Sequence, residues 1–236
     1  MTTLGSLNEF CWMDLKIRDQ SGTTAFLSRA LGWHFAVDEE DWRQAIKITI
    51  DGYQIGSVSS LASPIYPPDT LAHVAYYLAV DDVDRRAEAA TANGARLVVP
   101  PFDAGDQGRT ATLIDPMGAA FSLWQPQGFT GWKFPPRFVG APHHMVLACD
   151  QPDQARDFYH QLTGTPLMAA AFIAAREPTA TPQWELSVGI DDLAGVISRA
   201  QIGGQDLAAR VRDNDHSPLR LHSPEGLSFR VHLLGQ

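Results

Sequence analysis

At 236 residues, with 44% hydrophobic and 19% charged composition, the chain is long enough for two compact cores and is too apolar to be disordered. Its formal charge of −9, with no run of Lys or Arg along any predicted face, argues against nucleic acid as a partner and for an acidic, solubilising surface. No apolar stretch approaches the ~18 residues that cross a bilayer, and residues 1–10 carry no basic-then-apolar leader, so a cytoplasmic protein without a membrane partner is expected.

The chain opens on a half-buried strand at 11–17. Cys11, Met13, Leu15 and Ile17 form its apolar face, and Trp12, Asp14 and Lys16 its other face. Helical spacing follows over 19–31, stopped by Gly32. Strands are predicted at 33–37, 45–50 and 53–58, the last two joined by an Asp51-Gly52 hairpin turn. After the proline-rich connector at 63–69 the βαβββ order repeats. A strand at 73–80 leads to a helix at 82–93 ended by Gly94, then a strand at 96–99, a Pro100-Pro101 loop, and strands at 109–114 and 119–124. A linker spans 127–142. Cys11 and Cys149 sit in apolar strand patterns with no CxxC spacing and are expected as buried thiols.

The second half copies the plan of the first. Asp81-Asp82-Val83 before a helix recurs roughly 110 residues later as Asp191-Asp192-Leu193, and Asp115-Pro116-Met117-Gly118 recurs as Ser223-Pro224-Glu225-Gly226. Phe26 matches Phe158 at a larger offset, so about 22 residues are missing between Phe158 and Asp191. The missing piece is assigned to the Asp51-Gly52 hairpin. Only 166–176 remain to supply sheet there, and the run Ala169-Ala170-Ala171 argues against a regular strand. Gly203-Gly204 is expected to stop the last helix.

Trp12, Asp19, Phe26, Leu31-Gly32-Trp33, Gly108-Arg109 and the stretch from Asp115-Pro116 through Gly118-Ala119, Phe121 and Leu123-Trp124 resemble the vicinal oxygen chelate superfamily. This is the group of glyoxalases, bleomycin-resistance proteins and extradiol dioxygenases, and the likeness is to its tandem, glyoxalase-like members. The resemblance implies an α+β fold: a tandem pair of domains built from four βαβββ-type units, with domain 1 at 1–126 and a shortened domain 2 at 143–236. Each pair of units would curl its sheets into a cup. Trp12, Asp14, His73, Ala75, Tyr77, Ser122 and Trp124 would face the first cup, and alternation agrees by leaving Met13, Leu15, Val74, Leu78, Phe121 and Leu123 for the helices.

Metal-dependent relatives place His or Glu at the bottom of the cup. Those places hold Trp12, approximately Gly56, Ala75 and Ser122 in the first half, which offer an ion almost no donor. In the second half they hold His144, Glu185 and Arg230, where Arg230 sets a fixed charge beside any ion. Adjacent His143 and His144 are expected on opposite faces of their strand, so they form no ligand cluster. No metal and no other cofactor is expected; phosphate-loop, dinucleotide and nucleophile-elbow motifs do not occur.

Three function readings follow. The first is a metal-free protein whose first cup binds a hydrophobic or aromatic ligand through Trp12, Asp14, His73, Tyr77, Ser122 and Trp124. Antibiotic sequestration or natural-product biosynthesis is the setting the resemblance implies. The second is a metal-independent isomerase, lyase or cyclase using His73, Asp14 and Tyr77 for acid–base chemistry. The third is a metal-dependent glyoxalase or dioxygenase using His144 and Glu185. The shortened second half must cover its sheet edge against the first half or a second copy of the chain, the latter giving a homodimer.

Overall fold

The structure is a computed structural model that describes residues 3–39, 45–175, 181–201 and 219–235. Its elements are β1 (Phe10–Ile17), α1 (Gln20–Leu31), β2 (His34–Val37), β3 (Ile46–Ile50), β4 (Tyr53–Ser60), β5 (His73–Ala79), α2 (Val83–Ala92), β6 (Arg96–Asp103), β7 (Gly108–Ile114) and β8 (Ala120–Pro126). The second half contributes β9 (Pro142–Cys149), α3 (Pro152–Thr163), β10 (Ala170–Ala174), β11 (Trp184–Ile190), α4 (Leu193–Gln201), β12 (Arg220–His222) and β13 (Ser228–Leu233). One sheet runs β2-β3-β4-β1-β5-β8-β7-β6 and the other β10-β9-β11-β13-β12. This is the α+β plan of a tandem pair of βαβββ repeats with a shortened second half. No described helix is long and apolar enough to cross a membrane.

The duplicated aspartates are helix caps. Asp82 accepts the backbone N–H of Arg85 at 3.0 Å and Asp192 that of Gly195 at 2.8 Å, each satisfying one of the N–H groups a helix start leaves without a partner. The duplicated Pro-x-Gly turns also match: the N–H of Gly118 donates to Asp115 O and that of Gly226 to Ser223 O, both glycines at positive φ. The Gly203-Gly204 stop lies outside the described residues.

Two sequence expectations change. β6 continues through Pro100-Pro101 instead of ending there, but its register with β7 shifts between Val99 and Phe102; the prolines sit at an irregularity of the outermost strand, where a missing N–H is tolerated. In the second half the alanine run does form a strand, β10, which pairs parallel with β9 as β4 pairs parallel with β1. The retained strand therefore corresponds to β4. What has been lost is the counterpart of β2 and β3, since α3 connects to β10 through residues 164–169 alone.

The chain divides into two compact bodies. The first comprises Met1–Trp12, Ala75–Trp132 and His144–Glu185. Helices α2 and α3 pack together in it, and Phe121 meets Phe158 and Tyr159 edge-on at 6.2 and 5.3 Å. The second comprises Met13–Val74, Lys133–His143 and Leu186–Gln236. There α1 packs on α4, and Trp33 meets Phe229 edge-on at 5.4 Å while its indole N–H donates to Gly140 O. Cys11 and Cys149 are buried free thiols, and burial pushes both above the usual thiol range.

Candidate functional site

In the first body, the register of β5 with β8 pairs Tyr77 with Ser122, and that of β7 with β8 pairs Thr112 with Ser122 and Thr110 with Trp124. These side chains therefore share one sheet face. Leu78, Leu113, Phe121 and Leu123 occupy the other face and are buried. Tyr77 stands edge-on to Trp124 with centroids 6.1 Å apart. Trp12 and Trp124 both meet Phe129, at 4.7 and 6.1 Å, so two of these rings flank a further aromatic from the stretch after β8.

Phe129 is held by its backbone. Its carbonyl accepts the Trp124 indole N–H at 3.0 Å, and a little further on the N–H of Trp132 donates to Cys11 O at 2.8 Å. Two glycines make the arrangement fit. A Cβ on Gly108 would lie 2.6 Å from the Trp124 ring, and one on Gly131, which is at φ +87°, would lie 2.4 Å from Cys11 O. The Ser122 hydroxyl is hydrogen-bonded to Thr112 at 2.9 Å.

In the second body, Asp14 is the centre of a nearly buried polar network. Its carboxylate accepts from Ser57 at 3.1 Å and Ser59 at 2.7 Å, and lies 2.5 Å from the Lys16 ammonium. Lys16 donates in turn to Ser59 at 3.1 Å and to the Tyr66 hydroxyl at 2.9 Å. The β1–β4 register sets Ser57 beside Asp14, which places Ser57 where the sequence suggested Gly56; Gly56 instead backs onto Met13, whose Cγ a Cβ would approach to 2.9 Å. His73 is exposed, with Nδ1 2.8 Å from Leu71 O.

The proposed acid–base trio is thus engaged in three different ways: Asp14 with Lys16 and two serines, His73 with a backbone carbonyl, Tyr77 with Trp124. Lys16, Ser57, Ser59, Tyr66 and Phe129 were not singled out in the sequence. The alternation that exposed Asp14 also carried Lys16, but Tyr66 and Phe129 lie in proline- and glycine-rich stretches with no periodicity to mark them.

Among the second-half positions, His144 is half-buried, and Glu185 and Arg230 are buried. The expectation that His143 and His144 form no ligand cluster is corrected: ligating atoms of His143, His144 and His232 all lie within 4.8 Å of one another. The His143 ring stacks on that of His232, with centroids 4.5 Å apart and planes 12° off parallel. Just before β9, Gly189 accepts from the N–H of Gly140 and donates to the carbonyl of Ala141, so two residues face one. Burial, then His232 and Arg137, hold the His143 imidazolium below its usual range.

The donors at the family's metal places do not suit a divalent ion in the first half. Trp12 and Ala75 offer none, and the hydroxyls of Ser57 and Ser122 are weak ligands already hydrogen-bonded. In the second half His144 and Glu185 are competent donors, and Arg230 is a permanent cation.

A tandem βαβββ repeat with this strand order defines a glyoxalase-like fold. Residues 11–123 match the model of the Glyoxalase/Bleomycin resistance protein/Dioxygenase superfamily. It is 25% identical over 224 residues to a putative glyoxylase, CFP32, of Mycobacterium tuberculosis, covering 86% of this chain and 85% of that one. It is 26% identical over 164 residues to the anthracycline biosynthesis protein DnrV of Streptomyces peucetius, covering 65% of this chain and 59% of the relative. The Mn(II)-bound glyoxalase of Novosphingobium aromaticivorans shares the fold with a TM-score of 0.58 at 14% identity, over 97% of this chain and 88% of that one.

Proposed function

We propose that the protein binds a planar hydrophobic or aromatic small molecule at the Trp12, Tyr77 and Trp124 rings, without a metal ion at that place, as part of natural-product metabolism. The observation that carries this reading is the ring cluster itself: Trp12 and Trp124 enclose Phe129 edge-on, and Tyr77 flanks Trp124. Rings of this kind offer a ligand large contact area with little rotamer entropy to lose. The donor chemistry of the first half supports a metal-free site, and the likeness to an anthracycline biosynthesis protein supports a polycyclic ligand. Phe129 occupies the place a ligand ring would take, so binding exchanges one aromatic for another.

Isothermal titration against planar natural products, anthracyclinones among them, tests the reading. Trp12→Ala is expected to weaken binding at least tenfold, the loss of about 1.4 kcal/mol or more. Equal affinity in the variant rejects the site.

A further inference from the structure

The approach of His143, His144 and His232 has no part in the aromatic reading. One ligating atom from each imidazole lies within 4.8 Å of the other two. His143 and His144 stand next to the start of β9 at Pro142, and His232 next to the end of β13 at Leu233. β11 runs between these strands, which sets β9 and β13 about 9.5 Å apart. The residue of β11 that pairs with His232 is Gly189, and with no side chain there the space over the middle strand stays open. An added Cβ at Gly189 would come within 3.0 Å of Leu234. The His143 and His232 rings bridge the distance, stacked with centroids 4.5 Å apart, and His144 is held beside them by its peptide bond to His143.

Donor chemistry selects the kind of ion. Three imidazole nitrogens with no carboxylate among them suit zinc, nickel, copper or cobalt, whereas magnesium and calcium require oxygen ligands. Two nitrogens on one tetrahedral ion, each about 2.1 Å from it, are about 3.4 Å apart, so separations of up to 4.8 Å close with small rotations of the side chains. All three imidazoles are already engaged with neighbours. Each has two ring nitrogens, and metal-ligating histidines ordinarily keep a partner on the nitrogen turned away from the ion. Positive charge is the opposing factor. Arg137 acts on His143, and Arg230 is two residues from His232, so the affinity is expected to be micromolar, weaker than that of a structural zinc site.

We propose that His143, His144 and His232 form a binding site for one divalent transition-metal ion of the zinc or nickel class. Three protein ligands leave a tetrahedral ion one position for water, and the exposed His232 puts the site within reach of solvent. The set shares His144 with the places at which metal-dependent relatives hold an ion but uses neither Glu185 nor Arg230. The site needs no ligand at Trp12, Tyr77 and Trp124.

The test titrates the full chain, carrying no histidine tag and stripped with EDTA, with zinc in a calorimeter. One ion per chain is expected to bind with micromolar affinity, undisturbed by a large excess of magnesium, and the ring-proton signals of the three histidines should shift together. His232→Gln is the primary variant because its ring is exposed; it and His143→Gln should each weaken zinc binding about tenfold or more. His34→Gln, at an exposed histidine on β2, should bind as the wild type does. The proposal is overturned if zinc does not saturate at one ion per chain, if both His143→Gln and His232→Gln bind as the wild type does, or if His34→Gln weakens binding equally. It is also overturned if Glu185→Gln weakens binding while His143→Gln does not, which would put the ion at the family's places.

Discussion

The Tyr159 hydroxyl donates to Asp115 Oδ2 at 2.9 Å while accepting the indole N–H of Trp184 at 2.7 Å, so α3 is bolted to the turn between β7 and β8 and to β11 by one buried phenol. Asp115 Oδ1 meanwhile takes the backbone N–H groups of Met117 and Ala119, holding the Pro-x-Gly turn. Tyr159→Phe keeps the ring and strands two buried polar groups. It should destabilise the protein by about 1–3 kcal/mol in urea unfolding, with far-UV dichroism unchanged; a loss below the error of the melt would show that the bolt carries no stability.

Burial pushes the Asp115 carboxyl above its usual range, a shift its hydrogen bonds only partly oppose. Because the folded value lies above the unfolded one, the folded state holds the proton more tightly. The stability this group contributes is full at pH below the unfolded value and is lost as pH rises through the folded value. Measured against Asp115→Asn, wild-type stability should therefore decline with rising pH across the acidic range and then level off. Urea melts of both proteins across that range read the slope directly, and a rising difference contradicts the assignment.

Phe129 competes for the ring slot between Trp12 and Trp124. Its backbone carbonyl, not its ring, makes the bond to Trp124, so Phe129→Ala empties the slot and leaves that anchor in place. Affinity for an anthracyclinone that binds the wild type should rise about three- to tenfold, since the ligand no longer displaces a packed aromatic. Trp fluorescence titration measures it, and weaker binding would place the ligand elsewhere.

The legible parts of the sequence are those where one strand face is wholly apolar. On β1, β5 and β8 the helix-facing residues Met13, Leu15, Leu78 and Leu123 are fully buried, and period-two alternation then assigns the other face without further information. Legibility fails where phase slips or periodicity is absent. The β4 position was misplaced by one residue because no anchor in the sequence tells Gly56 from Ser57; only the register with β1 does. The histidine group was missed because its third member, His232, comes from β13, about 90 residues away, and adjacent residues of one strand taken alone point apart. The polar network around Asp14 joins residues 43 and 50 positions apart, Lys16 to Ser59 and Lys16 to Tyr66, so no local spacing could reveal it.

That network also sets a stability test. The side chains of Lys16 and Asp14 are 13% and 9% exposed, so their pairing is mostly desolvated and removing Lys16 takes from Asp14 the ammonium that pairs with it. Lys16→Met retains the carbon stem but abandons Asp14 to two serine hydroxyls, and should cost about 3 kcal/mol. Asp14→Asn leaves the ammonium with Ser59 and Tyr66 as acceptors and should also destabilise. The double variant removes both charges, so its loss should be well short of the sum of the two single losses. Urea unfolding of the four proteins closes the cycle, and strictly additive losses would mean that the two groups do not share a charge interaction.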